Sequence, residues 1–354
     1  MFSKQYAFRS PNIKEGGNSR LNAILELCKE DGTKQTVYGP SNNFVRALFC
    51  FHFIASLLRC SEEVILVHYS IFPSLFSQRI STNLIFLRIL TMVLNHAGRR
   101  NTIYIEVNDL PYEQSIDLEL PPNKMFLFDR KIYRLNYLSF VFASHGMADY
   151  VCKTYNTPHD HCSVLINGGP SPENFKPKPQ QPTRLRFVYV GTLNPGRQIE
   201  DMIRAFKGSP HILYLLGENG SWIADSPLTC ANIQYLGAYD EARAHAFVGT
   251  CDIGLIPYNQ SRMYYNLCYP TKASFYITAG IPFLSTELAE LQRHFDDSHA
   301  IFCKLDDWPQ VIARGDFSLR VVAMTPKVLE VSGDFLWRTV WKKWLTSLAR
   351  QHTH

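Results

Sequence analysis

The sequence has no Cys-x-x-Cys pair and no Cys/His cluster at zinc spacing. Its nine cysteines, at 28, 50, 60, 152, 162, 230, 251, 268 and 303, are scattered and odd in number. This excludes a disulfide scaffold or a zinc module and predicts free thiols in a reducing, cytoplasmic setting. No His-Glu-x-x-His and no Gly-x-Ser-x-Gly is present, Ser144-His145 has no triad companion, and His159-Asp160-His161 lies beside Pro158 in a predicted loop. Metalloprotease and serine-hydrolase chemistry are thereby disfavoured, and no metal is expected. Long apolar runs are also lacking. The most apolar uncharged stretch, Ala47 to Leu58, is closed by Arg46 and Arg59 and falls well short of the roughly 20 residues that span a bilayer. Met1 to Tyr6 show no basic segment leading into an apolar one, so no signal peptide is expected. Charge is sparse at 19% of residues, and the formal net charge is only +5. That is no polyanion footprint, and no nucleic-acid partner is expected.

What the chain does have is size and apolar rhythm. Its 354 residues allow about two domains, and aromatics make up 13% of them. Short apolar runs alternate with longer helical patterns, which predicts α/β layers on parallel sheets. Strands are expected near Lys4–Phe8, Val64–His68, Thr102–Val107, Leu138–Ala143 and Cys162–Ile166, with helices near Ser19–Cys28, Asn43–Leu58, Ile80–His96 and His145–Tyr155. Between Asn167 and Pro182 five prolines and two glycines fall in sixteen residues, a composition that neither a helix nor a central strand tolerates. The rhythm then restarts with strands at Arg186–Val190, Ile212–Leu216, Ile233–Leu236, Ile253–Pro257 and Pro282–Ser285, and helices at Ile199–Phe206, Glu241–Thr250 and Thr271–Ala279. The predicted division is an N-terminal domain over 1–170, a linker over 171–183, a second domain over 184–327 and a C-terminal helix over 328–354. That last segment carries Trp337, Trp341, Trp344 and Leu348 as one stripe at helical spacing, expected to pack back on the N-terminal domain.

Two places in the second half suit an anion. The strand Arg186–Val190 runs into Gly191-Thr192-Leu193-Asn194-Pro195-Gly196-Arg197-Gln198 and then a helix. A glycine turn at a helix N-terminus presents backbone N–H groups to an anion, the helix dipole favours negative charge there, and Arg197 adds a planar cation. Gly191 and Gly196 mimic P-loop spacing, but Arg197-Gln198 replaces the Lys-Ser/Thr pair, so a P-loop NTPase is not expected. In the second place Thr271 can cap a helix that Gly280 ends, which puts Lys272 in its first turn, where a cation opposes the dipole unless an anion lies between them. Together they suggest a diphosphate pocket. An ordinary strand-to-helix turn and a solvated lysine are the plain alternatives. In the first half Gly16-Gly17 opens a helix, with Ser19 as its alternative cap, and Glu106, Asn108 and Asp109 end a buried strand, the position where ligands gather in open α/β sheets. There they are candidate acid/base or hydroxyl-binding groups; for Asp109 a cap or turn role competes.

The succession FVYVGTLNPGRQIEDMIRAF, ILYLLGENG, NIQYLGAYDEARAHAF, CDIGLIPY and YPTKASFYITAGIPFLST, preceded by VLINGGPSPENFKP, resembles the donor-binding half of GT-B glycosyltransferases, above all those that build bacterial surface polysaccharides. The resemblance covers about Ser163 to Thr286; before that it rests on the Gly16-Gly17 turn and on Glu106–Asp109. It implies two Rossmann-like α/β domains facing a cleft and transfer of a sugar from a nucleotide diphosphate sugar, as co-substrate, to a glycan or lipid-linked acceptor, with no metal. Gly16, Gly17, Gly191, Thr192, Arg197, Gly217, Thr271 and Lys272 would then meet the donor, and Asp109 or Glu106 the acceptor hydroxyl. Two departures stand out: Thr192 sits where many relatives carry Arg, and Leu267 and Phe275 occupy the two positions of the usual Glu-x7-Glu pair. They leave open the stereochemical outcome, the donor and a catalytically silent subunit; a nucleotide-sugar epimerase on the same fold is a further alternative. Helix Asn43–Leu58, with Phe44, Phe49, Phe51 and Phe53 between Arg46 and Arg59, is either a buried domain helix or a peripheral contact with the inner face of a membrane.

Overall fold

The computed structural model describes residues 2–9, 16–76, 83–172, 184–195, 198–228 and 230–351. Arg197, Gly196 and most of the predicted linker lie outside them. The chain divides into two units, Met1–Ile166 with Trp341–His354, and Asn167–Val340.

The first unit runs β1 (Lys4–Phe8), α1 (Gly16–Glu30), β2 (Lys34–Tyr38), α2 (Asn43–Arg59), β3 (Val64–His68), α3 (Ile71–Leu75), α4 (Leu84–Arg100), β4 (Thr102–Val107), α5 (Pro111–Asp117), α6 (Phe126–Ile132), β5 (Leu138–Phe142), α7 (His145–Tyr155) and β6 (Cys162–Val164). Its six strands lie in the order β2-β1-β3-β4-β5-β6, all parallel. Ile65, Leu66 and Val67 of β3, Ile103 and Ile105 of β4, and Phe140, Val141 and Phe142 of β5 are buried, which is why these strands read as near-continuous apolar runs: helices cover both faces of the sheet. Trp341 donates through Nε1 to Asp31 Oδ2 at 3.0 Å and Trp344 to Ser163 Oγ at 3.1 Å, with Phe2 stacked on Trp344.

Three local expectations are corrected here. Helix α1 begins at Gly16, so Gly16 and Gly17 are its first residues and Ser19 lies within it rather than capping it. Helix α4 starts at Leu84 because the Asn83 side chain caps it, accepting from the N–H groups of Ile85 and Phe86. Strand β2 was not anticipated.

The second unit runs β7 (Arg186–Val190), α8 (Ile199–Ala205), β8 (Ile212–Leu216), β9 (Ile233–Gly237), α9 (Glu241–Val248), β10 (Ile253–Ile256), α10 (Met263–Leu267), α11 (Thr271–Thr278), β11 (Phe283–Ser285), α12 (Ala289–Gln292), β12 (Ala300–Phe302), α13 (Trp308–Ile312) and α14 (Phe317–Ser332), and the chain ends in α15 (Trp337–Gln351). Its sheet, again parallel, has the order β12-β11-β10-β7-β8-β9. The core joins Phe187, Leu213, Leu215, Ile253 and Leu255 of the strands to Ile199, Met202, Ile203 and Phe317 of the helices. The predicted C-terminal helix over 328–354 is divided: its first residues end α14, a short 3-10 turn at Gly333–Phe335 and extended Leu336 follow, and the tryptophans lie on α15.

In each sheet the first strand of the unit has later strands on both sides, so the strand order reverses beside it: between β1 and β3, and between β7 and β10. Ligands of open α/β sheets bind outside the carboxyl ends of the strands at such a point.

Candidate functional site

At the β7/β10 switch point three elements converge. Strand β7 is followed by Gly191, whose φ of +147° is one that L side chains rarely adopt, and β8 by Gly217 with φ +150°. The two turns abut so closely that a Cβ on Gly217 would stand 1.8 Å from the Gly191 carbonyl oxygen. A Cβ on Gly191 would meet Cε and Nζ of Lys272, each 3.0 Å away. The bare backbone at Gly191 is therefore what lets Lys272 reach across the end of the strand.

Lys272 is the second residue of α11. The N-cap is Pro270 rather than the expected Thr271, and no side chain caps this helix. Thr271 is its first helical residue, so the leading N–H groups of α11 lack the side-chain acceptor a Ser, Thr or Asp cap would give. The start of the helix is held from behind: Asn167 Nδ2 donates to the Tyr269 carbonyl at 2.9 Å, Ser274 Oγ donates to the Asn167 carbonyl at 2.6 Å, and Tyr269 bonds Ser274 at 2.8 Å. Its end is fixed by Gly280 at φ +74°, with N–H bonds from Gly280 to the Ile277 carbonyl and from Ile281 to the Tyr276 carbonyl, the pattern of a glycine-terminated helix.

The ammonium group of Lys272 donates to the Tyr258 hydroxyl at 3.0 Å and lies 5.2 Å and 5.1 Å from the ring centroids of Tyr189 and Tyr258, within cation–π reach. Burial opposes its charge, but Tyr189, Tyr258 and Tyr276 around it more than offset that, and the pKa is raised. Tyr276 braces the switch point itself: its hydroxyl accepts from Val190 N–H at 3.2 Å and donates to the Leu255 carbonyl at 3.1 Å, tying β7 to β10. Thr192 offers its carbonyl to the Tyr189 hydroxyl. Helix α8, which follows the glycine loop, carries Glu200 and Asp201 in its first turn, with Asp201 paired to Arg204. Carboxylates already answer the dipole there, so α11 is the better placed of the two helix N-termini for an outside anion. Phe275 stands edge-on against His245, centroids 4.9 Å apart.

In the first unit the structure turns Glu106 into something the sequence did not suggest. Its carboxylate is buried between Arg20, whose Nε donates at 2.6 Å, and His68, whose Nδ1 is 2.9 Å away. Arg20 also donates through Nη1 to the Leu165 carbonyl at 2.8 Å. On the other side of His68, Nε2 is 2.8 Å from Gln5 Nε2, and Gln35 donates to Gln5 Oε1 at 2.8 Å. These bonds are all satisfied when His68 donates from Nδ1 and accepts at Nε2. A polar chain, buried from Gln5 to Arg20, thus crosses β2, β1, β3 and β4 and ends on α1, whose first residues are Gly16 and Gly17. Burial by itself would raise the pKa of Glu106, but the Arg20 guanidinium and the hydrogen bond from His68 outweigh it and hold it at about 2. Committed to two partners and this acidic, Glu106 is a poor proton acceptor at neutral pH; it anchors α1. Asp109, past the end of β4, is half-buried and accepts from Asn108 Nδ2 at 2.8 Å. No single-sequence signal couples Arg20, His68 and Glu106, since they lie on three elements. Among the described residues no group of three His, Cys, Asp or Glu side chains could hold a metal ion.

No family model matches the chain, and no curated protein matches it. Solved structures do. A glycosyltransferase from Rickettsia africae aligns over 99% of this chain and 98% of its own with a TM-score of 0.64 at 10% identity. WaaG, a glycosyltransferase involved in lipopolysaccharide biosynthesis, aligns over 96% and 98% with a TM-score of 0.65 at 11% identity. A putative UDP-N-acetylglucosamine 2-epimerase from Listeria monocytogenes aligns over 94% and 96% with a TM-score of 0.53 at 9% identity. At these identities the likeness is one of fold.

Proposed function

Proceeding from a fold shared with the GT-B glycosyltransferases, we propose that this protein moves a sugar from a nucleotide diphosphate sugar to the hydroxyl of a glycan or lipid-linked acceptor, as a step in polysaccharide assembly. The observation that carries the reading is Lys272: a cation in the first turn of a helix whose N-terminus no side chain caps, reaching across the bare backbone of Gly191 at the switch point of its sheet. A diphosphate there would accept from the N–H groups of Thr271 and Lys272, which no side chain caps, and offset the ammonium charge, removing the conflict between cation and dipole.

In the reaction the bond from the anomeric carbon to the diphosphate breaks and the acceptor oxygen takes its place, so negative charge grows on the departing diphosphate. Groups already fixed toward that charge lower the barrier without reorganising. Lys272 and the α11 N-terminus supply them, the bare backbone of Gly191, held against the Gly217 turn, lets Lys272 stand beside the phosphates, Thr192 follows in the same loop, and Arg197 adds a second cation in this reading. Gly16 and Gly17 would approach the donor from the start of α1, which the Arg20–Glu106–His68 network orients. Asp109, in reach of solvent at the end of β4, is the proposed base that takes the acceptor proton. No metal is needed in this scheme.

The test is turnover of a panel of nucleotide sugars. Lys272→Met, which keeps the length of the side chain, should lower kcat by about 10²–10³, as loss of one charge-stabilising group does elsewhere. Turnover unchanged in Lys272→Met would overturn the assignment. The epimerase of the same fold motivates a second reading, separated by product mass: an epimerase converts the donor without acceptor and without change of mass, a transferase does not.

A further inference from the structure

We propose that Tyr69, Glu113, Asp129, Tyr133 and Tyr155 form a pH-operated latch that holds the segment from α5 to α6, residues 111–132, on the first unit and releases it when the carboxyls ionise. The five residues come from four places in the chain: Tyr69 follows β3, Glu113 is on α5, Asp129 and Tyr133 lie on and just after α6, and Tyr155 ends α7. All five are buried. Tyr69 donates to Asp129 Oδ1 at 2.5 Å, and Tyr155 donates to Glu113 Oε1. The Tyr133 hydroxyl, enclosed with them, has no hydrogen-bond partner among the described residues. Two carboxyls therefore share a dry cluster with three phenols, where a charge without a counter-ion is costly.

The elements packed around the cluster supply no such counter-ion. On α4 the basic residues Arg88, His96, Arg99 and Arg100 are exposed, as are Arg130 and Lys131 of α6 and Lys153 of α7. Arg134 donates to the Tyr155 carbonyl and Arg20 to Glu106, while α3 and β5 carry no charged residue. Tyr150 of α7 and Cys162 of β6, which face Glu113 and Tyr133, are neutral groups that burial pushes further from ionising. Burial thus acts on Asp129 with only the Tyr69 bond in opposition, Glu113 adds to it, and the proton stays on up to about 8. The segment is bonded mainly to itself: Ser115 Oγ accepts from Asn123 N–H and the Leu120 N–H donates to the Ser115 carbonyl, each at 2.8 Å, and Tyr112 packs on Phe126. On its outer side Ile116 and Leu120 are half exposed. Such a piece, pinned through one cluster, opens as a unit. Opening puts Asp129 in water, where it ionises in the usual Asp range, so opening gains about tenfold per pH unit between that range and 8 and levels off above it. Because α5 starts two residues after Asp109, release shifts the proposed base; that consequence rests on the transferase reading, and the latch itself does not.

Hydrogen exchange of the full chain, read by mass spectrometry at about pH 6 and about pH 8 and corrected for the intrinsic rise of exchange with pH, tests it without any substrate. Protection over residues 111–132 should fall at least about tenfold between the two, while β3 and β4 keep theirs. Asp129→Asn, which keeps the shape of the side chain and cannot ionise, should show the same protection at both. Should that variant fail to fold, Tyr69→Phe removes the bond that favours the charged form and should carry the fall in protection beyond about pH 8. Equal protection of the wild type at the two values, a fall spread evenly over sheet and segment, a fall retained in Asp129→Asn, or one that still ends near pH 8 in Tyr69→Phe would overturn the proposal. A segment without pH response in a protein that binds a nucleoside diphosphate faults the latch alone. A responsive segment in a protein that binds none supports the latch and faults only the transferase reading.

Discussion

Lys272 and Glu106 were both legible as charged residues at informative places, yet they carry different weight once their surroundings are known. Lys272 was readable because the helix dipole gives a sign rule that needs no tertiary structure: a cation in a first turn is unfavourable unless something offsets it. The aromatic surround was only partly so: Tyr276 stands one turn on from Lys272 in the same helix, whereas Tyr189 and Tyr258 come from β7 and from the loop after β10. Glu106 looked like a reactive carboxylate because it ends a buried strand, and only the fold reveals Arg20 and His68 beside it. The two roles give opposite expectations. In Glu106→Gln the Arg20 charge stays buried without its counter-ion, so stability to denaturant should fall by about 3–5 kcal/mol, as when one partner of a buried pair is removed elsewhere. A base acting directly on the acceptor would instead leave stability intact and abolish turnover, and that result would return Glu106 to the reaction.

At the scale of elements, the parallel strands with apolar cores and the helices with caps were readable, and the failures have physical causes. Strand β2, Lys34-Gln35-Thr36-Val37-Tyr38, lies at the edge of its sheet and only Tyr38 is buried, so it lacks the apolar run that betrays an inner strand. Strand β12 is also an edge strand, three residues long. The break between α14 and α15 falls at Gly333–Leu336, just before the tryptophan stripe: Trp337, Trp341 and Trp344 all belong to α15, so their spacing reports on that helix alone and gives no sign of the break. The joint between the β7 and β8 turns is the element-level feature that the candidate site depends on. Gly217→Ala places a methyl group 1.8 Å from the Gly191 carbonyl oxygen at φ +150°, so the two turns must separate. The expected cost is at least about 1–3 kcal/mol of stability, with weaker nucleoside diphosphate binding in whatever fraction folds. A melting temperature and affinity equal to wild type would show that the contact is not needed.

For the whole molecule the +5 charge at first explained nothing, being too small for a polyanion surface. The structure distributes part of it to a lysine at one switch point and to arginines on α2 and α4. The high aromatic content likewise divides into core, the Lys272 surround and exposed rings such as Phe44 and Phe51. Stability should depend on pH from both sides. Burial, partly offset by the hydrogen bond from Tyr69, pushes the Asp129 carboxyl up to about 8. Its folded state holds a proton that the unfolded chain has released, so its contribution is full below the usual Asp value and declines by up to about 1.4 kcal/mol per pH unit as pH rises toward 8. Glu106, held at about 2, acts in the opposite sense: its contribution is present above the usual Glu value and is lost as pH falls toward 2. Urea denaturation across this range should show both limbs, and Asp129→Asn should flatten the neutral one while leaving the acid one. A variant with the wild-type decline would contradict the assignment of that limb to Asp129.

In the proposed function Lys272 and the start of α11, which no side chain caps, hold a diphosphate. Calorimetric titration of the wild type and of Lys272→Met with UDP, GDP, CDP and dTDP, each beside its nucleoside, tests it most directly. At least one diphosphate should bind the wild type, its nucleoside should bind much more weakly, and Lys272→Met should lose at least about tenfold in affinity for the diphosphate, as removal of a charge-assisted contact does. Equal affinity of the folded variant and the wild type, or binding of nucleoside as tightly as diphosphate, would contradict it.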